Sequence, residues 1–268
     1  MTDQHLNAKL FRSLHTGDRP LVLVNAWDAA SARIAEAAGA RAIATTSAGV
    51  AWSLGAPDGD ALGRDLAVDL IARIVASVSV PVTADIESGY GESPDDVGDT
   101  VQAVVAAGAA GVNIEDALHA GPAPLRDIDD QCARLTAARA ASDALYINAR
   151  IDTHLRGGGG VDETVTRATA YLAAGADGVF IPGVTDPETI TTLVAAISAP
   201  VNVLAGPGAL PVPELAKLGV ARVSLGSSVV QTAYAVVRRA TEEALSTGTY
   251  TTLTDALDYG SLNTLMRH

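Results

Sequence analysis

Cysteine is almost absent. Cys132 stands alone among 268 residues, so neither an intramolecular disulfide framework nor a cysteine-rich zinc site can form. That fits a reducing cytoplasm. Aromatic residues are scarce too, at 4% of a chain that is 48% hydrophobic, so Ala, Val, Leu and Ile must fill the interior. Such a core favours an α/β fold over an all-β sandwich. Positive charge is short as well. With a net charge of −13 and no Lys/Arg cluster interleaved with aromatics, the field repels phosphate backbones and anionic membrane surfaces. No nucleic-acid partner is expected. A small anionic substrate stays compatible, because a divalent cation and one or two arginines invert the local field of an acidic protein. Long apolar runs are also missing: "MTDQHLNAKLFRSLHTGDRP" has no apolar signal core, and nothing later reads as a membrane span. The expectation is a soluble, cytoplasmic protein without a membrane partner.

What the chain has is a repeated phrase: "EAAGARAIATTS", "VAAGAAGVNIED", "LAAGADGVFIPG" and "AKLGVARVSLG". Each joins a helical end, a glycine at a C-cap position, and a short apolar run that ends in polar residues. With the intervening strands, eight β segments are predicted, at 21–26, 42–47, 80–87, 111–116, 145–152, 178–183, 200–206 and 221–226. Amphipathic stretches such as "DAASARIAEAAG", "SPDDVGDTVQAVVAAG" and "VDETVTRATAYLAAG" lie between them. Eight alternations predict a (β/α)8 barrel occupying residues 1–268 as one domain. Residues 249–268 carry a further apolar-periodic run that a finished barrel does not need, and are expected to pack on a neighbouring subunit.

Barrel active sites form at the C-terminal strand ends. There the chain places Asn25, Trp27 and Asp28, then Thr45, Thr46, Ser47 and Gly49, then Asp85 and Glu87. Asn113, Glu115 and Asp116 follow, then Asn148, Arg150 and Asp152, and finally Asn202. Asp85 and Glu87 stand i, i+2 in "VTADIESGYG", so on a strand both face the same space. Together with Glu115 they would repel one another in a dry site unless a divalent cation joins them. Oxygen ligands without thiolate or imidazole select Mg²⁺ or Mn²⁺ over Zn²⁺. Arg150 reads either as a bidentate partner for a substrate carboxylate or as half of a buried ion pair with Glu115 or Asp152. "TTSAGV" offers a hydroxyl and backbone N–H groups as an anion cradle. The run Gly157 to Gly160 lacks nucleotide-fingerprint spacing and reads as a loop. Cys132 falls on a helical pattern, and His119 in the loop after the fourth strand, where a histidine titrates near neutrality.

In order, "NAWDAASARIAEAAG", "TTSAGVAWSLGAPDGD", "PVTADIESGYG", "GVNIEDA", "INARIDT" and "GVARVSLG" resemble the isocitrate lyase and phosphoenolpyruvate mutase superfamily, especially its short phosphonomutase-like branch. The resemblance implies an α/β barrel, Mg²⁺, and a small anionic 2-oxo acid or enolpyruvate substrate. It also implies a homo-oligomer, dimer or tetramer, that exchanges a C-terminal helix. By position it puts the metal on Asp85, Glu87 and Glu115. It gives substrate contacts to Ser47, Ala48, Gly49, Asp85 and Arg150, with Trp27 and Asn202 beside them. Asp58, Arg150 and His119 are the expected catalytic groups. Glu87 stands where that family usually has aspartate. "ALHAGPAPLRD" replaces the Lys-Lys-Cys-Gly-His signature of the lyase branch, and the lysine- and asparagine-containing lid of true mutases is not evident.

Overall fold

Helix starts in this chain are fixed by side-chain caps. Asp28 accepts from the Ser31 N–H at 2.6 Å, Ser93 from Asp96 at 3.2 Å and Asp186 from Thr189 at 2.8 Å. Helix ends are fixed by backbone freedom: the four glycines of the repeated phrase, Gly39, Gly108, Gly175 and Gly219, have φ between +83° and +112°. The computed structural model describes residues 3–120 and 122–267. Its first half runs α1 (Asp3–Ser13), β1 (Leu21–Ala26), α2 (Ala29–Ala37), β2 (Ile43–Thr45), α3 (Ser47–Ser53), α4 (Arg64–Ser77), β3 (Val82–Asp85), α5 (Pro94–Ala106) and β4 (Gly111–Glu115). The second half runs α6 (Ile128–Ala141), β5 (Tyr146–Arg150), α7 (Thr153–Arg156), α8 (Val161–Ala173), β6 (Gly178–Ile181) and α9 (Pro187–Ala196). It closes with β7 (Val201–Leu204), α10 (Val212–Lys217), β8 (Arg222–Ser224), α11 (Ser228–Ser246) and α12 (Tyr259–Leu265).

The eight strands close in sequence order into a parallel barrel, as the alternation predicts. Most are shorter than their sequence segments, because the polar residues at their C-terminal ends leave the ladder to build loops. Two shells of side chains result. Outward residues such as Ile86, Ile114, Ile147, Val179 and Val223 pack under the helices in one apolar cluster. Inside, α1 caps the N-terminal end of the barrel, where Ala8 and Phe11 pack on Leu21, Leu23, Ala42, Ala44, Ala110 and Tyr146. Above that floor lies a polar layer. Asn148 donates to Asn113 at 2.9 Å and Asn202 to Ser224 at 3.1 Å, and Arg222 crosses from β8 to reach Asn113 on β4 at 3.2 Å. Register then sets the top: Glu115 lies beside Arg150 and Asp85 beside Asn113. Among the described residues, no helix is long and apolar enough to cross a membrane.

Candidate active site

Glu87 is not on the strand that the i, i+2 spacing suggested. β3 ends at Asp85, and Glu87 sits in the following turn with φ +51°, with Tyr90 at +54° and Asp60, in the facing turn, at +57°. Side chains resist that region, and each such residue costs about 1–3 kcal/mol, so the turns must be held from outside. Glu87 does part of this. Its Oε2 accepts from the N–H groups of Gly59, at 2.9 Å, and Asp60, and its Oε1 from the Tyr90 hydroxyl at 3.3 Å. Arg134, buried at 1% exposure, adds to it by donating to the carbonyls of Ser88 at 3.4 Å, Gly91 at 3.0 Å and Glu92, and the Ser88 hydroxyl ties the two turns by donating to Asp60 at 2.5 Å. Burial, with the nearby charges of Asp85, Asp60 and Asp58, pushes the Glu87 carboxyl up to about 7 against the Asp60 hydrogen bond.

Asp85 ends β3 facing a cavity of about 330 Å³. Its Oδ2 accepts from the Ser47 hydroxyl at 3.1 Å and N–H at 3.4 Å, and Thr45 Oγ1 accepts from its N–H at 2.8 Å. Burial raises its carboxyl to about 6, helped by Glu115 and Asp58 and opposed by Arg150 and Ser47. Arg150 is fixed on three sides. Nε and Nη2 grip Asp152 at 2.7 and 2.9 Å, and Nη1 meets Glu115 at 2.5 Å. Burial works against this guanidinium charge, but Glu115 and Asp152 more than offset it, so its pKa is raised. Burial also opposes the Glu115 charge, yet Arg150 and then His119 hold that carboxyl below its usual range. His119 Nε2 lies 2.7 Å from Glu115, and its Nδ1 accepts from Arg156 at 2.9 Å, which puts the proton of the neutral ring on Nε2. The Glu115 hydrogen bond raises the His119 pKa, with Arg156 acting the other way.

Among known proteins, the phosphoenolpyruvate phosphomutase family model matches residues 11–245. The chain belongs to this family. The 2-methylisocitrate lyase of Escherichia coli K12 is 34% identical over 206 residues, which cover 74% of this chain and 69% of that protein. A crystal structure from Burkholderia cenocepacia J2315, 39% identical, superposes with a TM-score of 0.93 over 99% of this chain and 97% of the other. Phosphonopyruvate hydrolase, solved with oxalate and Mg²⁺, is 26% identical with a TM-score of 0.86, covering 97% of this chain and 94% of that one. These relatives place the chain in the isocitrate lyase and phosphoenolpyruvate mutase superfamily, as the sequence motifs imply.

In this family member the cavity gathers some of the residues expected from sequence and leaves others apart. Ser47, Ala48, Asp58, Asp85 and Arg150 line it, with Asn113 and Ser224 below and Leu155, Phe180 and Leu204 as apolar wall. Gly49 lies behind that lining in α3. A Cβ there would come within 2.8 Å of both Thr46 Cγ2 and Trp27 Cβ, so this glycine serves the packing of Trp27 against the helix. Asn202 reaches the cavity only through Ser224. His119 borders a separate cavity of about 560 Å³ with Asp60 and Tyr90. Among the described residues, one set of carboxylate and imidazole groups has ligand atoms within 4.8 Å of one another: Asp60, Glu87 and His119. Sequence reading passed over Asp60 and Arg222. Only the alternation in "ARVSLG", which puts Arg222 and Ser224 on one face, could have flagged the second.

Proposed function

We propose that this protein is a Mg²⁺-dependent enzyme that makes or breaks a C–C or P–C bond beside the carbonyl of a small 2-oxo acid, as a lyase or decarboxylase or in phosphonomutase-like fashion. The observation that carries the reading is Asp85, a carboxyl raised to about 6 that faces one small cavity together with Arg150 and Ser47. Asp85, Glu87 and Glu115 would hold the cation, directly or through water, and Mn²⁺ suits the same oxygens. Their fit rests on the donor set: all are oxygens, and two are pushed toward protonation by burial that a cation would offset. The Asp60, Glu87 and His119 set fits less well. Both imidazole nitrogens are taken, by Glu115 and Arg156, and each has a single lone pair or proton to offer. The Glu115 oxygens, engaged by Arg150 and His119, keep further lone pairs free. Phosphonopyruvate hydrolase, solved with Mg²⁺ and oxalate, supports the choice of ion.

When bound, the cation polarises the substrate carbonyl and offsets charge that develops on the enolate. The chain's own residues do the positioning. Arg150, locked by Asp152 and Glu115, presents its remaining N–H edges to a substrate carboxylate without searching rotamers. Ser47 and Ala48 bound the oxygen end, Trp27 and Gly49 brace them, and Asn202 orients Ser224 beneath. Asp58 is the proton-transfer group within the cavity, and His119 reaches the reaction through Glu115. The test is incubation with Mg²⁺ and oxaloacetate, 2-alkylmalates, phosphonopyruvate or phosphoenolpyruvate, following pyruvate and ³¹P signals. Turnover on one of these that EDTA abolishes is expected; turnover indifferent to EDTA would sink the metal role.

One observation favours a second reading, a non-catalytic oxo-acid-binding barrel. Among the described residues, the only titratable groups lining the cavity are Asp58, Asp85 and Arg150, so the store of proton donors is small. Calorimetric binding of oxalate with no turnover on any of these substrates would decide for it. The proposal extends to a cytoplasmic homo-oligomer, dimer or tetramer, joined through residues 249–268. Tyr250, Leu257 and Tyr259 there are 70%, 64% and 84% exposed, which supports a partner surface. Light scattering of the full chain against one truncated after Gly248 checks it: loss of the oligomer on truncation is expected.

A further inference from the structure

Beneath the cavity lies a cation that the proposed chemistry leaves unused. Arg222, on β8, is 0% exposed, and among the described residues it forms no ion pair. Its Nε donates to Ser224 Oγ at 3.3 Å and its Nη2 to Asn113 Oδ1 at 3.2 Å, while Nη1 has no partner. Among the described residues no carboxylate meets it directly; the Asp85 charge acts on it only from the cavity lining, with Tyr146 acting the same way. The guanidinium lies 5.9 Å from the Phe11 ring, and nearby His15 is uncharged because burial, then the Arg222 charge itself, pushes its pKa down to about 3. Burial lowers the Arg222 pKa only to about 10, so it stays protonated at neutral pH. A buried guanidinium is normally matched by a carboxylate, since desolvating a lone charge is costly. Here its two acceptors, Ser224 and Asn113, are themselves lining residues of the cavity. The charge therefore sits one side chain below the ligand, in an interior where fields are weakly screened.

We propose that Arg222 supplies the counter-charge for the bound ligand from below and makes this cavity select dianionic over monoanionic oxo acids. It is a positioning residue, acting through Asn113 and Ser224, and the inference rests on the oxo-acid reading of the site. Coulomb energy scales with ligand charge, so removing the cation costs a dianion twice the free energy it costs a monoanion, and the fold-loss for the dianion is the square of the other. A merely structural role would weaken both alike.

The experiment is calorimetric titration of the Mg²⁺-loaded full chain with oxalate, a dianion, and oxamate, its near-isosteric monoanion. Arg222→Gln keeps donors for Asn113 and Ser224 but drops the charge. It is expected to lose about tenfold in oxalate affinity and about threefold in oxamate affinity, so the preference for oxalate falls about threefold. Arg222→Lys, which keeps the charge, is expected to keep the preference. Equal losses for the two ligands in Arg222→Gln, or a preference lost as fully in Arg222→Lys, would overturn the proposal. Should Arg222→Gln fail to fold by circular dichroism, Arg222→Met is read on the same criterion and Arg222→Lys still decides. A wild-type chain that binds neither ligand overturns the oxo-acid reading itself, and this inference with it.

Discussion

At the C-terminal end of the strands, Glu115 is shared between Arg150 at 2.5 Å and His119 at 2.7 Å, whereas at the opposite end His15 stacks on Tyr146 at 4.1 Å between ring centroids. Both ends are buried and both carry polar groups. The upper end keeps its charges by pairing them, in a chain that runs Asp152, Arg150, Glu115, His119 and Arg156. The lower end relies on packing: His15 stays uncharged beside the Arg222 guanidinium, and Phe11 meets His15 and Tyr146 edge-on at 4.8 and 5.5 Å. The difference is one of use. Ion pairs can be exchanged for a ligand of the same charge, so the paired end can work, while the aromatic packing of the other end holds the barrel closed.

The largest effect expected from breaking this division falls on the floor. Phe11→Ala, at a site with 0% exposure, should cost about 3–5 kcal/mol of unfolding free energy in denaturant titration while leaving oxalate affinity within a factor of two or so. A matching loss of affinity would show that the ends are not independent. At the top, Asp85→Asn should leave the melting temperature nearly unchanged yet lower turnover, or Mn²⁺ affinity by calorimetry, about 100-fold or more.

The neutrality of His15 gives a pH signature of intermediate size. Its folded pKa, about 3, lies below the unfolded value of 6.5, so its contribution to stability is present above pH 6.5 and is lost as pH falls toward 3. Between pH 6.5 and 5 that loss is at most about 2 kcal/mol, and it should vanish from the pH dependence of unfolding in His15→Gln. An unchanged pH dependence in that variant would mean the ring is charged or exposed. The smallest effect belongs to Arg134, which clamps the turn carrying Glu87 without touching the cavity. Arg134→Met should weaken Mn²⁺ binding about tenfold, and Arg134→Lys less, because only the guanidinium fork spans three carbonyls.

The strands and their order were legible because alternating apolar runs and glycine C-caps are local signals. The place of Arg150 at a strand end and its pairing with Glu115 and Asp152 were legible, and the fold sets it in the cavity lining. The position of Glu87 was not, because a two-residue period says nothing once the chain leaves the ladder for a left-handed turn. Nor was the place of Gly49: "TTSAGV" begins helix α3, with Ser47 and Ala48 lining the cavity and Gly49 pressed against Trp27 behind them.

By itself, then, the sequence determined the eightfold alternation, the strand ends at which acids and Arg150 accumulate, and the membership in a family of oxo-acid barrels, since each is written in short-range pattern or ordered motif. Only the tertiary structure decided which acids converge, that Asp60 faces Glu87 across 27 residues, and that Arg222 on the last strand lies under a cavity begun by Asn25 on the first. Barrel closure brings these residues together, and closure depends on the packing of all eight strands at once.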